Sequence, residues 1–552
     1  MVHLIKKKVN GNEYCYLQEN VRINGKTKRL WQIYLGPTKR IQEYALLTKP
    51  EKLEYETVEF GADVALYNIA KKIKLIEVID RHTDKKRSQG LTVGEYILIA
   101  AINRCIKPYS KRMLSNWFRK SFLTGYFQIS SEILNSQTYW NHFSYLNDDI
   151  YRKIEVELSK IILDEYNLDL NCVLYDPTNF YTYIQEHENN ELPAKGHSKE
   201  KRYDLNQVNL SLFCLRDGGV PLMYKVYPGN MNDPTHFKSI ISEFTKRMTE
   251  IGASINEIVM IFDKGNHSND AYKEINKSEM KFIASLRPST QKDLIATPLD
   301  KFTMIKLKST GKEVGYYHIK KELYKKERDI YVVFDPRHYK RVKLQFEKRL
   351  EKKIQSIKEY FKDRLNKKKW GSVDNVKNKI ESMLGKKLYN TIVKVDLKGG
   401  PGHLTIQLDI DETKRDEQFG VMGKSILFTN CDNWAPELII RTFREQYIVE
   451  SAFKYLKNPK MIAVRPMYHY TDNSIRAHIF ICILGLLLLS LLRLELSKHK
   501  INISYFKSIE LLKEIKVIRI LDQNGNERLR KFNKIGFESN KLFKALKLKK
   551  NL

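Results

Sequence analysis

Three carboxylate residues occupy sequence positions that are suited to a metal-dependent hydrolytic site. Asp176 follows the short apolar run 172–175, and Asp263 follows the apolar run 258–262. Both runs predict short strands, and open α/β sheets bind their ligands beyond the carboxyl ends of the strands. Glu450 is predicted to lie within a later helix. The three residues are therefore candidate members of one site.

Such a site would carry out phosphoryl chemistry if the three carboxylates converge. Donor sets made only of oxygen favour hard cations, Mg²⁺ or Mn²⁺, over zinc. Two such cations about 3.5–4 Å apart would hold the attacking and leaving oxygens of a phosphodiester in line. Water or a 3′-hydroxyl would then attack, so no nucleophilic Ser or Cys is needed. A carboxylate at a strand end is also a common helix cap, so the prediction depends on convergence.

The elements around these residues indicate an α/β domain. The segments 207–215 and 220–227 predict a β-hairpin around a Gly-Gly turn, and Asp233 is predicted to cap a helix that runs to about Ile251. The apolar run 258–262 follows this helix and ends at Asp263. Two antiparallel strands, a helix and an inner strand that carries a carboxylate match an RNase H-like half-domain. The helix with Glu450 is predicted to run unbroken from about 435 to 457.

A basic segment separates Asp263 from Glu450. Residues 337–369 hold fourteen Lys or Arg against four Asp or Glu. The apolar residues within it step by three or four, which predicts an amphipathic helix; they are Leu350, Ile354, Ile357, Phe361 and Leu365. We interpret 289–430 as a mixed, basic insertion. Contact with a DNA backbone and a merely solvated helix face are equally open at this point.

The N-terminal region predicts a hairpin followed by helices. Alternating polar and apolar residues flank Asn24-Gly25, a strong hairpin signal. A helix is predicted from Thr92 to about Lys107, and a second carries Trp117. Basic residues follow the turn between them: Lys111, Arg112, Arg119 and Lys120. DNA binding and ordinary helix packing are both open for this pair of helices.

Composition points to a polyanionic partner. The 552 residues contain 97 Lys and Arg against 65 Asp and Glu, a net charge of +32, which favours nucleic acid over a membrane surface or a ribosomal-type structural role. With 42% hydrophobic residues, a wholly disordered chain is excluded. Six scattered cysteines without a CxxC pair predict reduced thiols and no zinc framework. The longest apolar run, 479–492, is shorter than the roughly 20 residues that span a membrane, so a buried helix and no membrane are expected.

Three sequence blocks resemble the catalytic blocks of DDE-type insertion-sequence transposases, in the subgroup with a final Y-x2-R-x3-E-x6-K block. The blocks are 175–180, 261–266 and 444–457, and the resemblance extends over about 171–492, including 195–199 and 465–469. It implies that Asp176, Asp263 and Glu450 are catalytic and bind two Mg²⁺ or Mn²⁺ ions on an RNase H-like fold. It also implies a large insertion between the second Asp and the Glu.

The last block matches the family only in part. Glu450 and Lys457 occupy the expected positions, but Phe443 and Gln446 stand where the family has the Tyr and Arg that hold the phosphates of the transposon ends. Arg444 and Tyr447, one residue further along, are candidate substitutes. Lys454 completes the predicted set of DNA-binding residues.

These observations give an expected organisation and function. The predicted fold is α/β, an RNase H-like catalytic domain interrupted by the basic insertion and preceded by a β-hairpin and a helical DNA-binding region. The expected activity is DNA cleavage at terminal inverted repeats and transfer of the 3′-hydroxyl into target DNA, by a cytoplasmic, nucleoid-associated homodimer. An RNase H-like nuclease without strand transfer and a catalytically dead repressor are the alternatives. The predicted domains are 1–60, 61–168, 169–288, 289–430, 431–500 and 501–552.

Overall fold

The chain divides into two units, each built from segments that are distant in the sequence. In the computed structural model, unit 1 comprises residues 1–150, 458–463 and 480–552, and unit 2 comprises 151–457 and 464–479. The structure describes residues 2–23, 25–47, 53–84, 90–185, 190–308 and 311–551. Asn24, at the predicted hairpin turn, lies outside the described residues.

The strands are numbered in chain order. They are β1 Val2–Val9, β2 Asn12–Ile23, β3 Lys26–Pro37, β4 Glu54–Glu59, β5 Cys172–Thr182, β6 Asn206–Leu215, β7 Pro221–Pro228, β8 Val259–Phe262, β9 Lys281–Leu286, β10 Thr303–Lys306, β11 Glu313–Leu323, β12 Lys326–Phe334, β13 Val393–Lys398, β14 Thr405–Ile410, β15 Lys424–Thr429, β16 Lys516–Leu521 and β17 Glu527–Phe532.

The α-helices are numbered in the same way. They are α1 Thr38–Leu47, α2 Gly61–Lys72, α3 Leu75–Arg81, α4 Val93–Ile106, α5 Leu114–Phe118, α6 Leu123–Phe127, α7 Ser136–Phe143, α8 Asp148–Tyr166, α9 Asp233–Ile251, α10 Asn269–Ser278, α11 Lys292–Ile295, α12 Pro336–Phe361, α13 Val373–Leu384, α14 Lys387–Ile392, α15 Glu412–Val421, α16 Pro436–Arg444, α17 Tyr447–Lys457, α18 Asp472–Lys498, α19 Tyr505–Lys513 and α20 Phe537–Ala545.

Unit 2 is organised around a mixed sheet with the strand order β10-β11-β12-β15-β9-β8-β5-β6-β7. The pairs β7–β6 and β6–β5 are antiparallel, whereas β5–β8 and β8–β9 are parallel. The inner strands are buried on both faces, which explains their continuous apolar runs. The prediction of a mixed α/β fold is confirmed.

The insertion contributes to this sheet and also carries a core of its own. Strands β10, β11, β12 and β15 extend the sheet beyond β9. Helix α12 buries Leu350, Ile357 and Phe361 against α13, α14 and the β13–β14 hairpin. The spacing of the apolar residues therefore predicted the helix correctly. The helix ends at Phe361, well before the end of the basic segment.

The helix predicted to run from 435 to 457 is two helices. Instead of continuing the i→i+4 pattern, the amide of Glu445 donates to the carbonyl of Thr442, and that of Gln446 donates to the carbonyl of Phe443. These i→i+3 bonds tighten the chain into a turn. The two helices serve different surfaces, since α16 packs against β9 and α17 packs against β5 and β6. Tertiary packing breaks the helix where no Gly or Pro marks the position.

Unit 1 pairs a strand from the N-terminal part of the chain with two strands from its C-terminal part. Strand β4 pairs with β16, and β16 pairs with β17, both antiparallel. A separate antiparallel sheet joins β1, β2 and β3, with Ile23 opposite Lys26. Helix α4 begins with a capping box, in which Thr92 and Glu95 each bond the backbone amide of the other.

Helix α18 is long and apolar enough to cross a membrane by length and composition alone. However, 83% of its most apolar stretch is buried inside the protein. Core helices of soluble proteins pass the same test, so the helix is weak evidence for a membrane span.

Candidate active site

The register of the sheet places the two aspartates side by side. Parallel pairing joins residues 172–174 of β5 to residues 259–261 of β8. Continuing this register by two residues brings Asp176 level with Asp263, which directly follows β8. Neighbouring strands lie about 4.8 Å apart. Two residues far apart in the sequence thus become neighbours at one point of the sheet.

The sequence predicts that the strand ends at Asp176, but in the structure the strand continues beyond this residue. Strand β5 continues to Thr182 because β6 pairs with it along this whole length. Its pairing with β8 stops at Leu174. Pro177, which has no N–H to donate, is tolerated where β8 no longer pairs. Asp176 therefore lies in mid-strand, just beyond the parallel pairing.

Glu450 reaches the same place from α17. This helix packs against β5 and β6 and buries Val449, Phe453 and Leu456. Glu450 lies on the exposed side of the helix. Its charge and that of Asp263 both raise the pKa of Asp176, so the three carboxylates share one electrostatic environment.

Burial and carboxylate repulsion make Asp176 an unusual acid. Desolvation is the largest cause that raises its pKa, to about 7, and the charges of Asp263, Glu450 and Asp233 add to the rise. The ammonium of Lys199 acts in the opposite direction. At neutral pH the site holds negative charge that its protein surroundings offset only in part.

Lys199 is held beside Asp176 by a structured loop. Its Nζ donates to the carbonyl of Pro177 and lies 3.8 Å from Asp233 Oδ2. The side chain of Asn179 fixes the loop, because its Nδ2 donates to the carbonyl of His197 at 2.8 Å and its Oδ1 accepts from the amide of Lys199 at 3.3 Å. Asn179 thus positions the cation that stabilises ionised Asp176.

Asp233 is a fourth carboxylate near this centre. The sequence predicted it as the N-cap of α9, but Asn232 caps the helix by accepting from the amide of Thr235. Asp233 is the first helical residue, and Tyr227 Oη donates to it at 3.2 Å. The side chain of Asp233 is thereby free of the capping role and contributes to the field at Asp176.

Asp263 is oriented by a chain of hydrogen bonds. Ser285 Oγ donates to Asp263 Oδ1 and also accepts from the amide of Lys264. His267 bonds the carbonyl of Ser285 through Nε2, and Tyr272 Oη pairs with Nδ1 at 2.8 Å. Because a carbonyl only accepts, Nε2 carries the hydrogen and Tyr272 donates to Nδ1. Burial lowers the pKa of His267, which favours this neutral form.

Lys457, one of the predicted DNA-binding residues, already has a partner. Its Nζ lies 3.3 Å from Glu200 Oε1, and Arg465 Nη1 lies 2.8 Å from the other carboxylate oxygen. The ammonium also lies 5.5 Å from the ring centroid of Phe180 in β5. Burial lowers the pKa of Lys457, and Glu200 opposes that shift.

Arg444 and Phe443 face a different feature, a cavity of about 500 Å³ at the start of α12. Arg444 Nη2 donates to Asp335 Oδ2 at 2.9 Å, and Phe443 packs against the apolar cluster beneath the sheet. With Arg444, four further cationic side chains line the cavity against one carboxylate, that of Asp335; they are Lys312, Arg337, Arg341 and Lys424. We call it the cationic cavity.

The other predicted DNA-binding residues differ in exposure. Gln446 is buried in the turn between α16 and α17, with 8% of its surface exposed. Tyr447 is 60% exposed, and Lys454 is also exposed. Tyr447 and Lys454 can therefore reach a ligand, whereas Gln446 is placed to support the turn.

The oxygen donors of the three carboxylates suit a hard cation, although these side chains do not surround a single point in the structure. Among the described residues, no three His, Cys, Asp or Glu side chains are close enough to form a ready-made metal site. The carboxylates nevertheless offer only oxygen donors, and their mutual repulsion is what a cation would relieve. The chemistry of these residues fits Mg²⁺ or Mn²⁺.

Comparison with known proteins identifies the family. The family model described as "Transposase DDE domain" matches residues 169–488. The chain belongs to this family. The resemblance drawn from the three sequence blocks is confirmed. The matched range of the transposase DDE domain contains all three carboxylates and the whole insertion.

Other comparisons add little to the family match. The transposase DDE chain is similar to a solved structure of the piggyBac transposase synaptic complex with hairpin DNA, at 8% sequence identity and a TM-score of 0.37. That similarity covers 84% of this chain and 82% of the other. No curated protein matches the chain.

Several residues around the transposase DDE site were not singled out as functional from the sequence. Lys199 lies in the stretch 195–199, which contributes only to the family resemblance, and Ser285 lies in β9 without a distinguishing motif. Asp233 carried the signal of a helix cap. Each acts on an aspartate through tertiary contacts, so only the folded chain shows its role.

The raised pKa of Asp176 predicts a pH-dependent gain in stability for Asp176→Asn. Folded wild-type protein keeps the Asp176 proton to a higher pH than the unfolded chain, so wild type loses stability as pH rises from about 4 to 7. The variant escapes this loss. We expect it to be about 1–3 kcal/mol more stable than wild type at pH 8, and equal to it below pH 4.

Urea unfolding between pH 4 and pH 8, without divalent cations, measures this difference. Asp300→Asn is the control, because Asp300 is exposed. A difference between Asp176→Asn and wild type that stays constant over this range would contradict the assigned environment of Asp176.

Proposed function

We propose that this chain is a transposase that cuts DNA at the ends of a mobile element and joins the freed 3′-hydroxyl to target DNA. The observation that carries the proposal is the placement of Asp176, Asp263 and Glu450 in one electrostatic environment within a transposase DDE domain. Water or a 3′-hydroxyl would attack the phosphodiester, so the reaction needs no nucleophilic Ser or Cys side chain. Carboxylates that hold a cation are suited to its displacement chemistry.

The order of the central strands supports an RNase H-like catalytic fold. Three antiparallel strands, β7, β6 and β5, are followed across the sheet by the parallel strands β8 and β9. The two aspartates lie at the junction between the antiparallel and parallel parts. We propose that 169–288 and 431–500 form this fold, with 289–430 as the basic insertion.

Asp176, Asp263 and Glu450 would together hold Mg²⁺ or Mn²⁺, as two ions in the full site. Bound there, the cations would stabilise the charge on the attacking and leaving oxygens of the phosphodiester. Other residues of the chain orient the carboxylates and set their charge. Ser285 keeps Asp263 oriented, and Lys199 favours the ionised form of Asp176 against the burial and the carboxylates that raise its pKa.

The charge of the chain supports DNA as the partner. We propose that Lys454, Lys457 and Tyr447 contact the DNA end at the site. Arg444 and Phe443 would contact DNA at the cationic cavity, and Gln446 would support the turn between α16 and α17. Unit 1 would bind the terminal inverted repeats, and two chains would pair the ends. Such a protein would work in the cytoplasm, on the nucleoid, without a membrane.

Replacement of any of the three carboxylates by its amide should abolish DNA joining. Each amide keeps the size of the side chain but removes a cation ligand, and we expect losses of at least about 100-fold, the scale of one electrostatic catalytic group. The assay incubates the protein and Mg²⁺ with a labelled duplex that carries the DNA flanking its own coding sequence. Asp176→Asn, Asp263→Asn and Glu450→Gln are compared with wild type.

Glu417→Gln, an exposed residue of α15, is the matched control and should act like wild type. Joined products that disappear only in the three variants support transposition. Cleavage without joining would indicate a nuclease, and binding without either would indicate a repressor. Undiminished joining by Glu450→Gln would show that the site is wrongly assigned.

Variants of the Lys457–Glu200 ion pair distinguish a DNA-binding role of Lys457 from a structural one. If Lys457 contacts phosphate, Lys457→Gln should weaken DNA binding and lower the slope of log affinity against log salt by about 0.9. Glu200→Gln should then leave DNA binding equal or stronger, since it frees a cation. Fluorescence anisotropy at several salt concentrations measures both variants.

Lys306→Gln, an exposed lysine of β10, controls for the general loss of one charge. The DNA contact would be contradicted if both Lys457→Gln and Glu200→Gln lowered the melting temperature equally and left DNA affinity unchanged. That outcome would make the pair a purely structural link between α17 and the 195–201 loop.

A further inference from the structure

A second cavity, of about 1080 Å³, lies entirely within unit 1. It is bounded by the junction of β4 and α2, by the segment from the end of α4 through α5, by α19 and by the turn at 458–463. Sites for small organic ligands have volumes of roughly 300–1,000 Å³. The cavity is thus large enough for a nucleotide. We call it the unit 1 cavity.

The acidic side chains of this cavity are largely neutralised. Glu59 is paired with Lys516, and Glu510 with Lys513, at 2.8 and 2.9 Å. The third, Asp63, is buried and accepts a hydrogen bond from Ser121. Burial raises the pKa of Asp63 to about 8, so it is mostly protonated at neutral pH.

The remaining charge of the cavity is positive. Lys107, Arg119, Lys120 and Lys460 all line it and are exposed. In the described part of the chain, no carboxylate oxygen lies within 4 Å of these four cations. Four uncompensated positive charges around one concave surface attract a phosphorylated ligand.

Aromatic rings form other parts of the wall. Trp117 is buried in α5, and its indole Nε1–H has no acceptor among the described residues. Phe506 in α19 is 41% exposed, although it is a large apolar side chain. Tyr109 lines the cavity as well, with the ammonium of Lys107 4.9 Å from its ring centroid.

We propose that the unit 1 cavity binds a nucleotide whose base is unpaired, with its phosphate among the four cations and its base against Phe506 and the Trp117 wall. Cations that follow the backbone and aromatic rings on which bases stack are the usual means of holding single-stranded nucleic acid. A fully paired duplex hides the faces of its bases and can satisfy only the cations. The nucleotide can come from a single-stranded segment of DNA or from a free nucleotide.

This site is additional to the catalytic function proposed above and does not depend on the three carboxylates. It also gives a role to the basic residues after the predicted pair of helices, Arg119 and Lys120. Measuring binding in a Glu450→Gln background keeps the two proposals separate, because this variant cannot consume the DNA.

The test compares three labelled or competing ligands: a single-stranded 10-mer, a blunt duplex of equal length and free deoxynucleoside monophosphate. We expect Phe506→Ala to weaken binding of the single strand about tenfold, the scale of one lost stacking contact, and to change duplex binding less than about twofold. Lys120→Gln with Lys460→Gln should lower the salt slope for the single strand by about 1.4. If the monophosphate binds and the single strand does not, the nucleotide that occupies the cavity is a free one.

Phe537→Ala and Lys71→Gln are matched controls, because both residues are exposed in unit 1 outside the cavity lining. They should leave the affinity for every ligand unchanged. The proposal is overturned if Phe506→Ala binds the single strand and the monophosphate as well as wild type does. It is also overturned if Phe506→Ala weakens single-strand and duplex binding equally.

Discussion

The repulsion between carboxylates at the centre of unit 2 is the constraint on which the rest of the site depends. Asp176 is forced beside Asp263 by the strand register, and Glu450 is brought to it by the packing of α17. Such a buried cluster costs stability in the absence of a cation, because burial first and the neighbouring carboxylates second raise the pKa of Asp176. The cost persists because the surrounding sheet leaves the strands no other register. Lys199 offsets part of it.

The positive charge of the chain is distributed around this acidic centre and beyond it. Helix α12 buries an apolar face and turns its basic residues outward, and its start borders the cationic cavity. Unit 1 holds a second concave surface with four uncompensated cations. Part of the positive charge behind the net +32 therefore lies at these two concave surfaces.

The sequence was informative where a local pattern determines the structure. An apolar run predicted β8, and a three- and four-residue spacing predicted α12. Local patterns were insufficient where tertiary contacts decide. The break at Glu445 and Gln446 follows from packing on two different surfaces, and β5 continues past Asp176 because β6 pairs with it. The hydrogen bond of Ser285 to Asp263 and the position of Lys199 likewise have no sequence signal.

Binding of Mn²⁺ tests whether Asp176, Asp263 and Glu450 form one cation site. Electron paramagnetic resonance of free Mn²⁺ during titration gives the affinity without DNA or catalysis. Wild type should bind Mn²⁺, and Asp176→Asn, Asp263→Asn and Glu450→Gln should each weaken binding by at least about tenfold, as expected for loss of a charged oxygen ligand. Asp300→Asn should bind like wild type. Equal Mn²⁺ affinity in wild type and all three site variants would show that these carboxylates do not form a cation site.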